Sequence, residues 1–131
     1  MELIFSKLLT QTDIERRLSV PTRILYLLHL LDDGDRDGHR SADLRVTDGS
    51  GDVWTFRCIW RDGVYAKPVF SKGWLEFVYA KKLKMYDKVV LYGEKDGGGV
   101  TYRIEVRRNI LRLMGQDIWI ELHHLHLYGL V

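Results

Sequence analysis

The stretch from Val53 to Arg61 constrains the fold of this chain more than any other. Every second side chain in it is aromatic or a thiol, and these four residues are Trp54, Phe56, Cys58 and Trp60. A period of two is that of a β-strand with one buried face. We therefore expect a central strand whose inner face is mostly aromatic and is covered by further strands or a helix.

The segments that follow predict a compact unit around this strand. A polar break at Arg61–Gly63 leads to a short strand over Lys67–Phe70. A capped helix is expected to begin near Ser71 and to lead into Leu83, and the next strand covers Asp87–Leu91. The break between the first two strands should form an exposed, cationic loop.

The flanking regions add strands and one more helix. The N-terminal segments predict, in order, a strand, a polar loop, a short strand and a helix: Leu3–Leu9, Thr10–Arg17, Leu18–Val20 and Arg23–Leu31. Thr22 is expected to cap that helix. The turn over residues 48–51 predicts a hairpin that sets the strand over 42–47 beside Trp54 and Phe56. Gly97–Gly99 should join the strands Lys88–Tyr92 and Val100–Arg107, and Ile118–Leu122 adds a last strand before a tail.

The composition is that of a soluble globular protein. It is 46% hydrophobic and 29% charged, and its single cysteine excludes an internal disulfide. No secretory signal is evident, and the longest apolar run, Ile24–Leu31, is too short to span a bilayer. We expect no membrane association.

Charge is distributed unevenly along the chain. The formal net charge is +2, but residues 32–52 hold seven acids against three arginines, and residues 57–88 hold eight basic side chains against three acids. A cationic side is the electrostatic footprint of a protein that binds nucleic acid. A solvated lysine-rich helix over 81–88 is the alternative explanation.

Several motifs predict other sites only weakly. Asp33, Asp35 and Asp37 match the first half of a calcium loop, but Leu44 stands where the twelfth-position glutamate is required. The tail contains His123, His124 and His126, and two histidines at i and i+2 on a strand could share a metal, but no cysteine or carboxylate is placed to complete the site. No catalytic set is recognisable, so we expect no enzyme, no metal and no cofactor.

Three separate motifs resemble the plant-specific B3 DNA-binding domain over roughly residues 3–110. They are Phe5-x-Lys7-x-Leu9-Thr10-x-x-Asp13 with Leu18-Ser19-Val20-Pro21, then Trp54-x-Phe56-Arg57, then Lys72-Gly73-Trp74-x-x-Phe77-Val78 with Leu83-x-x-x-Asp87-x-Val89. The resemblance implies a mainly β, open seven-stranded pseudobarrel with two short helices. It assigns residues 1–114 to the domain and leaves 115–131 as a C-terminal extension with one added strand and a tail.

The resemblance also implies two loops that grip the major groove of double-stranded DNA. The first jaw corresponds to Thr10–Ser19 and the second jaw to Trp60–Lys67. The expected DNA-binding residues are Thr12, Arg16, Arg17, Ser19, Trp60, Arg61, Asp62, Tyr65, Lys67 and Lys72. Among them Arg61 suits the edge of a guanine, the other four cations suit phosphates, and Trp60 could equally belong to the core.

The sequence departs from the family at three places. The first jaw is short, the second jaw keeps only Arg61 of the family's base-reading patterns, and Tyr86 replaces a glycine. These departures leave the fold and general DNA binding in place, but the family's target sequences do not transfer to this chain. We predict a nuclear, plant transcription regulator that binds double-stranded DNA as a monomer and has no small-molecule substrate. The alternative is a protein-interaction module of the same fold with weak or lost base reading, for which the apolar tail offers a surface for self-association.

Overall fold

The computed structural model describes residues 1–28, 39–63 and 65–129. Its strands are β1 (Glu2–Leu8), β2 (Leu18–Ser19), β3 (His39–Thr47), β4 (Val53–Arg61), β5 (Val69–Phe70), β6 (Lys88–Asp96), β7 (Gly99–Leu113) and β8 (Gln116–Glu121). Its helices are α1 (Gln11–Glu15), α2 (Leu25–Leu28, preceded by a 3-10 turn over Thr22–Ile24), α3 (Trp74–Lys81) and α4 (Leu122–Leu127).

The strands form one open sheet in the order β1-β6-β7-β3-β4-β5-β2, and β8 pairs with β7 outside this path. Among the described strands, only β3 and β7 run parallel to each other. In the described part of the chain β1 and β2 end the order without pairing to each other, so the barrel has an open seam. The predicted mainly β, open fold is confirmed, and β8 joins the seven strands of the path as an eighth.

The inner face of β4 forms the middle of the core, as the alternation predicted. Phe56 and Cys58 are fully buried. The Phe56 ring lies 5.4 Å from that of Phe70, 5.6 Å from that of Trp74 and 5.4 Å from that of Phe77. Such aromatic pairs add about 0.5–1.5 kcal/mol each beyond their burial. β4 is therefore the rigid element on which the rest of the site is built.

The hairpin of β3 and β4 has the expected register. Leu44 pairs with Phe56 and Val46 pairs with Trp54, so the inner faces of the two strands coincide. Trp54 is only half-buried because its indole reaches the turn after β3, where Nε1 donates to Oδ2 of Asp48 at 2.8 Å. Burial disfavours the Asp48 carboxylate, but hydrogen bonds from Lys81, Ser50 and Trp54 outweigh it and hold the Asp48 pKa well below its usual range.

Helix α3 starts without the side-chain cap that the sequence predicted. Its N-cap is Gly73, which has φ +93° and no side chain to accept a hydrogen bond. A Cβ at this position would lie 2.0 Å from the carbonyl oxygen of Thr55. The glycine is therefore required because helix and strand approach each other too closely there for any side chain.

Two expectations for the N-terminal part are wrong. The predicted loop after β1 contains α1, because Thr10 and Asp13 form a capping box in which each side chain accepts from the other's backbone N–H. Thr22 does not cap the next helix, since the N-cap position is Pro21 and makes no side-chain hydrogen bond. The predicted calcium half-loop and the end of the predicted helix lie outside the described residues.

The C-terminal part contributes to the core. The last strand is confirmed as β8, but the histidines that follow lie on α4 instead of on a strand. Leu122 and Leu125 of α4 are 2% and 4% exposed. Tyr86 adopts φ +73°, so the turn before β6 keeps a backbone conformation that favours glycine. None of the described helices combines the length and apolar character needed to cross a bilayer.

Candidate nucleic-acid interface

The second jaw is anchored in the core at both of its ends. The backbone N–H of Arg61, the last residue of β4, donates to the carbonyl oxygen of Ala66 at 3.0 Å. Ala66, near the end of the jaw, is 5% exposed, and Trp60, which directly precedes Arg61 on β4, is 4% exposed. Because both ends of this short loop are fixed in the core, its exposed side chains project from a rigid support.

Trp60 belongs to the core and not to the surface of the jaw. Its side chain shares the inner face of β4 with Phe56 and Cys58. The sequence left a core role and a DNA contact equally open for Trp60, and its burial now removes it from the candidate contacts. Burial also raises the pKa of the Cys58 thiol to about 12, which makes that cysteine a structural one.

The other candidate DNA contacts of the second jaw are exposed. Arg61 and Lys67 project into solvent, and Tyr65 is 79% exposed. Lys67 has φ +44°, an uncommon conformation for a residue with a side chain. Asp62 accepts hydrogen bonds from Nε of Arg40 on β3 at 3.0 and 3.1 Å, so its carboxylate braces the jaw against the neighbouring strand.

The first jaw carries its candidate residues on and just after α1. Thr12, Arg16, Arg17 and Ser19 are all exposed. The jaw rests on the core through α1, where the carbonyl oxygen of Asp13 accepts a hydrogen bond from the Trp74 indole at 2.6 Å. The first jaw is thus an ordered turn of helix followed by an edge strand.

Strand register brings the two jaws to the same face of the sheet. Ser19 pairs with Val69, and Val69 pairs with Ile59, so β2 lies two strands away from β4. Side chains alternate along a strand, which puts Ser19, at the end of the first jaw, on the same outer face as Ile59 and Arg61. At about 3.3 Å per residue and about 4.8 Å per strand, ideal strand spacing puts the Cα atoms of Ser19 and Arg61 about 12 Å apart.

The candidate DNA-binding cations differ from many other described cations because they form no ion pairs. Carboxylates hold Arg57 through Asp43, Lys81 through Asp48 and Arg108 through Asp87. The five cations predicted for DNA form no ion pair with any carboxylate of the described residues; they are Arg16, Arg17, Arg61, Lys67 and Lys72. Within the described part of the chain, their charge is available to a ligand because no acid there neutralises it.

Lys72 lies in the short segment between β5 and α3. Its carbonyl oxygen accepts a hydrogen bond from the backbone N–H of Arg57 at 2.9 Å, which fixes the segment against β4. Its side chain is exposed. A lysine held in this way can provide a point charge for a phosphate without an ordering cost for the backbone.

The sequence missed the role of Lys7, which lies at the base of the first jaw. Lys7 occupies a position of β1 between the buried residues Phe5 and Leu9, with the same alternation. A charged residue on a buried face is uncommon and usually has a partner, which was the available signal. Its Nζ lies 3.0 Å from Oδ1 of Asp13.

The tail histidines do not form a metal site with other side chains of the described residues. Among the residues that the structure describes, no three His, Cys, Asp or Glu side chains are placed to hold a metal ion. His124 lies 3.9 Å from Glu121, and His126 turns into the protein. Burial and the nearby charges of Lys82 and Arg108 lower the pKa of His126.

Comparison with known proteins gives consistent results. The family profile of the B3 DNA-binding domain matches residues 5–110. An AP2/ERF and B3 domain-containing transcription factor of Arabidopsis thaliana is 29% identical over 140 residues, covering 98% of this chain. The chain spans 36% of that relative's length. The structure of the Arabidopsis FUS3–DNA complex superposes with a TM-score of 0.61 at 24% identity, covering 82% of this chain and 98% of the other.

Proposed function

The chain is a member of the B3 DNA-binding domain family, and we propose that it binds double-stranded DNA with its two jaws in the major groove. Its Arabidopsis relatives are a transcription factor and a protein in complex with DNA. We extend this to plant transcription regulation in the nucleus, with residues 1–114 as the DNA-binding unit.

The observation that carries this proposal is the common face of the two jaws. Ser19 and Arg61 project from the same side of β2 and β4, about 12 Å apart by ideal strand spacing, and Arg17 directly precedes β2. The major groove is about 12 Å wide, so two supports at this separation can reach phosphates or base edges on both sides of it. The cations of both jaws are exposed and unpaired within the described residues, which suits a polyanionic partner.

Each side chain has a role that follows from its chemistry. Arg61 presents a planar fork from a fixed strand end, which suits bidentate pairing with guanine. The phosphate contacts are assigned to the remaining four cations, which are Arg16, Arg17, Lys67 and Lys72. Thr12 and Ser19 supply hydroxyl donors, and Tyr65 can pack on a sugar or a thymine methyl. Asp62 has an indirect role, because it holds Arg40 of the neighbouring strand.

The test separates charge from base reading at Arg61. We expect Arg61→Ala to weaken binding to the preferred duplex by about 1–3 kcal/mol and to relax selection at one base position. Arg61→Lys keeps the charge but not the fork, so it should lose base selection to the same extent. Lys72→Ala is the matched control, because it should weaken all sequences alike. If selection from a randomised duplex pool returns the same sequences for all three variants and the native protein, Arg61 does not read a base.

Self-association through the C-terminal region is a second candidate. Ile110, Leu111, Met114 and Ile118 are exposed around the tip of the β7–β8 hairpin, and Met114 is 96% exposed. Removing residues 115–131 would also remove core residues of α4, so Met114→Ser with Ile118→Ser is the cleaner variant. A native protein that sediments as a concentration-dependent dimer, together with a monomeric variant, would support this candidate. A native monomer at all concentrations would exclude it.

A further inference from the structure

We propose that Lys7 and Asp13, which are not among the predicted DNA contacts, hold the first jaw in its binding geometry before DNA arrives. This inference rests on the proposed function, because it concerns how that function is prepared. It assigns the two residues a positioning role, distinct from the contacts of Arg16 and Arg17.

Asp13 connects four separate parts of the fold. Its side chain is almost fully buried, with the residue 2% exposed. Oδ2 accepts from the backbone N–H of Thr10 at 2.8 Å, and Oδ1 accepts from Lys7 at 3.0 Å and from the backbone N–H of Ser19 at 3.4 Å. Its backbone oxygen accepts from the Trp74 indole. One residue thus links the start of α1, β1, β2 and the aromatic core.

Lys7 closes the open seam of the barrel at the same point. Its ammonium group donates to Asp13, to the carbonyl oxygen of Ser19 at 2.9 Å and to the hydroxyl of Ser19 at 2.8 Å. β1 and β2 are the two ends of the strand order and share no ladder in the described residues. The side chain of Lys7 therefore substitutes for the missing backbone pairing between them.

These contacts leave Lys7 no donor for DNA. An ammonium group has three protons, and the three hydrogen bonds use all of them. A phosphate contact by Lys7 would require the loss of a bond to Asp13 or Ser19. The charge of Lys7 is also compensated by a carboxylate, whereas Arg17 pairs with no carboxylate of the described residues.

The first jaw needs such support because it has little stability of its own. α1 contains five residues, and a helix of that length does not persist in water without tertiary contacts. Arg16 and Arg17 follow directly, so their positions depend on α1 and on the start of β2. Without the Lys7–Asp13 contacts the jaw would become ordered only on binding, at a cost to affinity.

Lys7→Met tests the proposal, with Lys81→Met as the matched control. Both lysines form an ion pair with a buried aspartate: the side chains are 24% and 3% exposed for Lys7–Asp13, and 18% and 5% exposed for Lys81–Asp48. Methionine keeps most of the apolar stem in each case. Lys81 packs beside the β3–β4 turn, outside both jaws.

We expect Lys7→Met to lower duplex affinity about tenfold while leaving the slope of log K against log salt unchanged. Amides of residues 11–17 in the free variant should exchange hydrogen faster than in the native protein. Lys81→Met should change neither quantity, even if both variants lose similar thermal stability. If Lys7→Met does not fold, Thr10→Val removes one bond of the capping box and should give a smaller loss of affinity in the same direction.

Three outcomes would overturn the inference. A fall of about 0.9 in the salt slope of Lys7→Met would mean that Lys7 contacts a phosphate directly. Unchanged affinity in both Lys7→Met and Thr10→Val would mean that the jaw needs no support, and an equal loss in Lys81→Met would indicate a general effect of stability. Failure of the proposed function would look different, since Arg17→Ala and Arg61→Ala would then also leave affinity unchanged.

Discussion

The salt dependence of duplex binding gives the most direct test of which cations meet phosphate. Four unpaired cations are assigned to phosphates, and each contact releases counterions that contribute about 0.9 to the slope of log K against log salt. Affinity falls as salt rises, and the magnitude of this slope should be about 3.6 for the native protein. Raising salt from about 50 to about 200 mM should lower its affinity about 150-fold.

Removing two of these cations should change that dependence by a calculable amount. The double variant Arg17→Ala, Lys72→Ala should have a slope of about 1.8, so the same change in salt should lower its affinity only about 12-fold. Fluorescence anisotropy of a labelled duplex at five or more salt concentrations measures both slopes. The two proteins should converge in affinity at high salt.

Lys95→Ala is the control for overall charge. Lys95 is an exposed lysine near the turn between β6 and β7, away from both jaws. This variant should keep the native slope, although it loses one positive charge like each member of the pair. If Lys95→Ala lowers the slope as much as either substitution in the pair, binding follows net charge and the assignment of phosphate contacts is refuted.

Three further predictions concern stability and reactivity. Gly73→Ala should lower the free energy of unfolding in urea by about 3 kcal/mol or more, because its Cβ would meet the carbonyl oxygen of Thr55. Gly51 is also at positive φ but has open space for a Cβ, so Gly51→Ala should cost only about 1 kcal/mol. Cys58 should not react with a thiol reagent at pH 8 in the folded protein and should react fully in denaturant, because burial raises its pKa to about 12; a fast reaction without denaturant would contradict its burial. The pKa of His126 is lower in the folded protein than in the unfolded chain, so the unfolded chain binds a proton first as pH falls. The free energy of unfolding should therefore decrease as pH drops below about 6.5. His126→Gln should remove that dependence, His124→Gln should not, and an unchanged pH profile in His126→Gln would refute the assignment.

Features with a local cause were predictable from the sequence. The alternation over Val53–Arg61 identified β4 and its inner face, because a strand forces successive side chains to opposite sides. The turn at residues 48–51 gave the hairpin and its register. α1 is also a local feature, with Thr10 and Asp13 spaced as a capping box, but the polar composition of the segment by itself predicts a loop.

The sequence by itself determined the mainly β fold, the aromatic core strand and the residue types that could meet DNA, because these depend on side-chain periodicity and on motif spacing. Only the tertiary structure decided which cations remain available, since Arg57 and Lys81 find carboxylates on other elements and Arg17 finds none among the described residues. It also turned Trp60 inward, and it joined Lys7 to Asp13 and Ser19 across the seam. The physical reason is that ion pairing and burial depend on neighbours in space, which a single sequence does not specify.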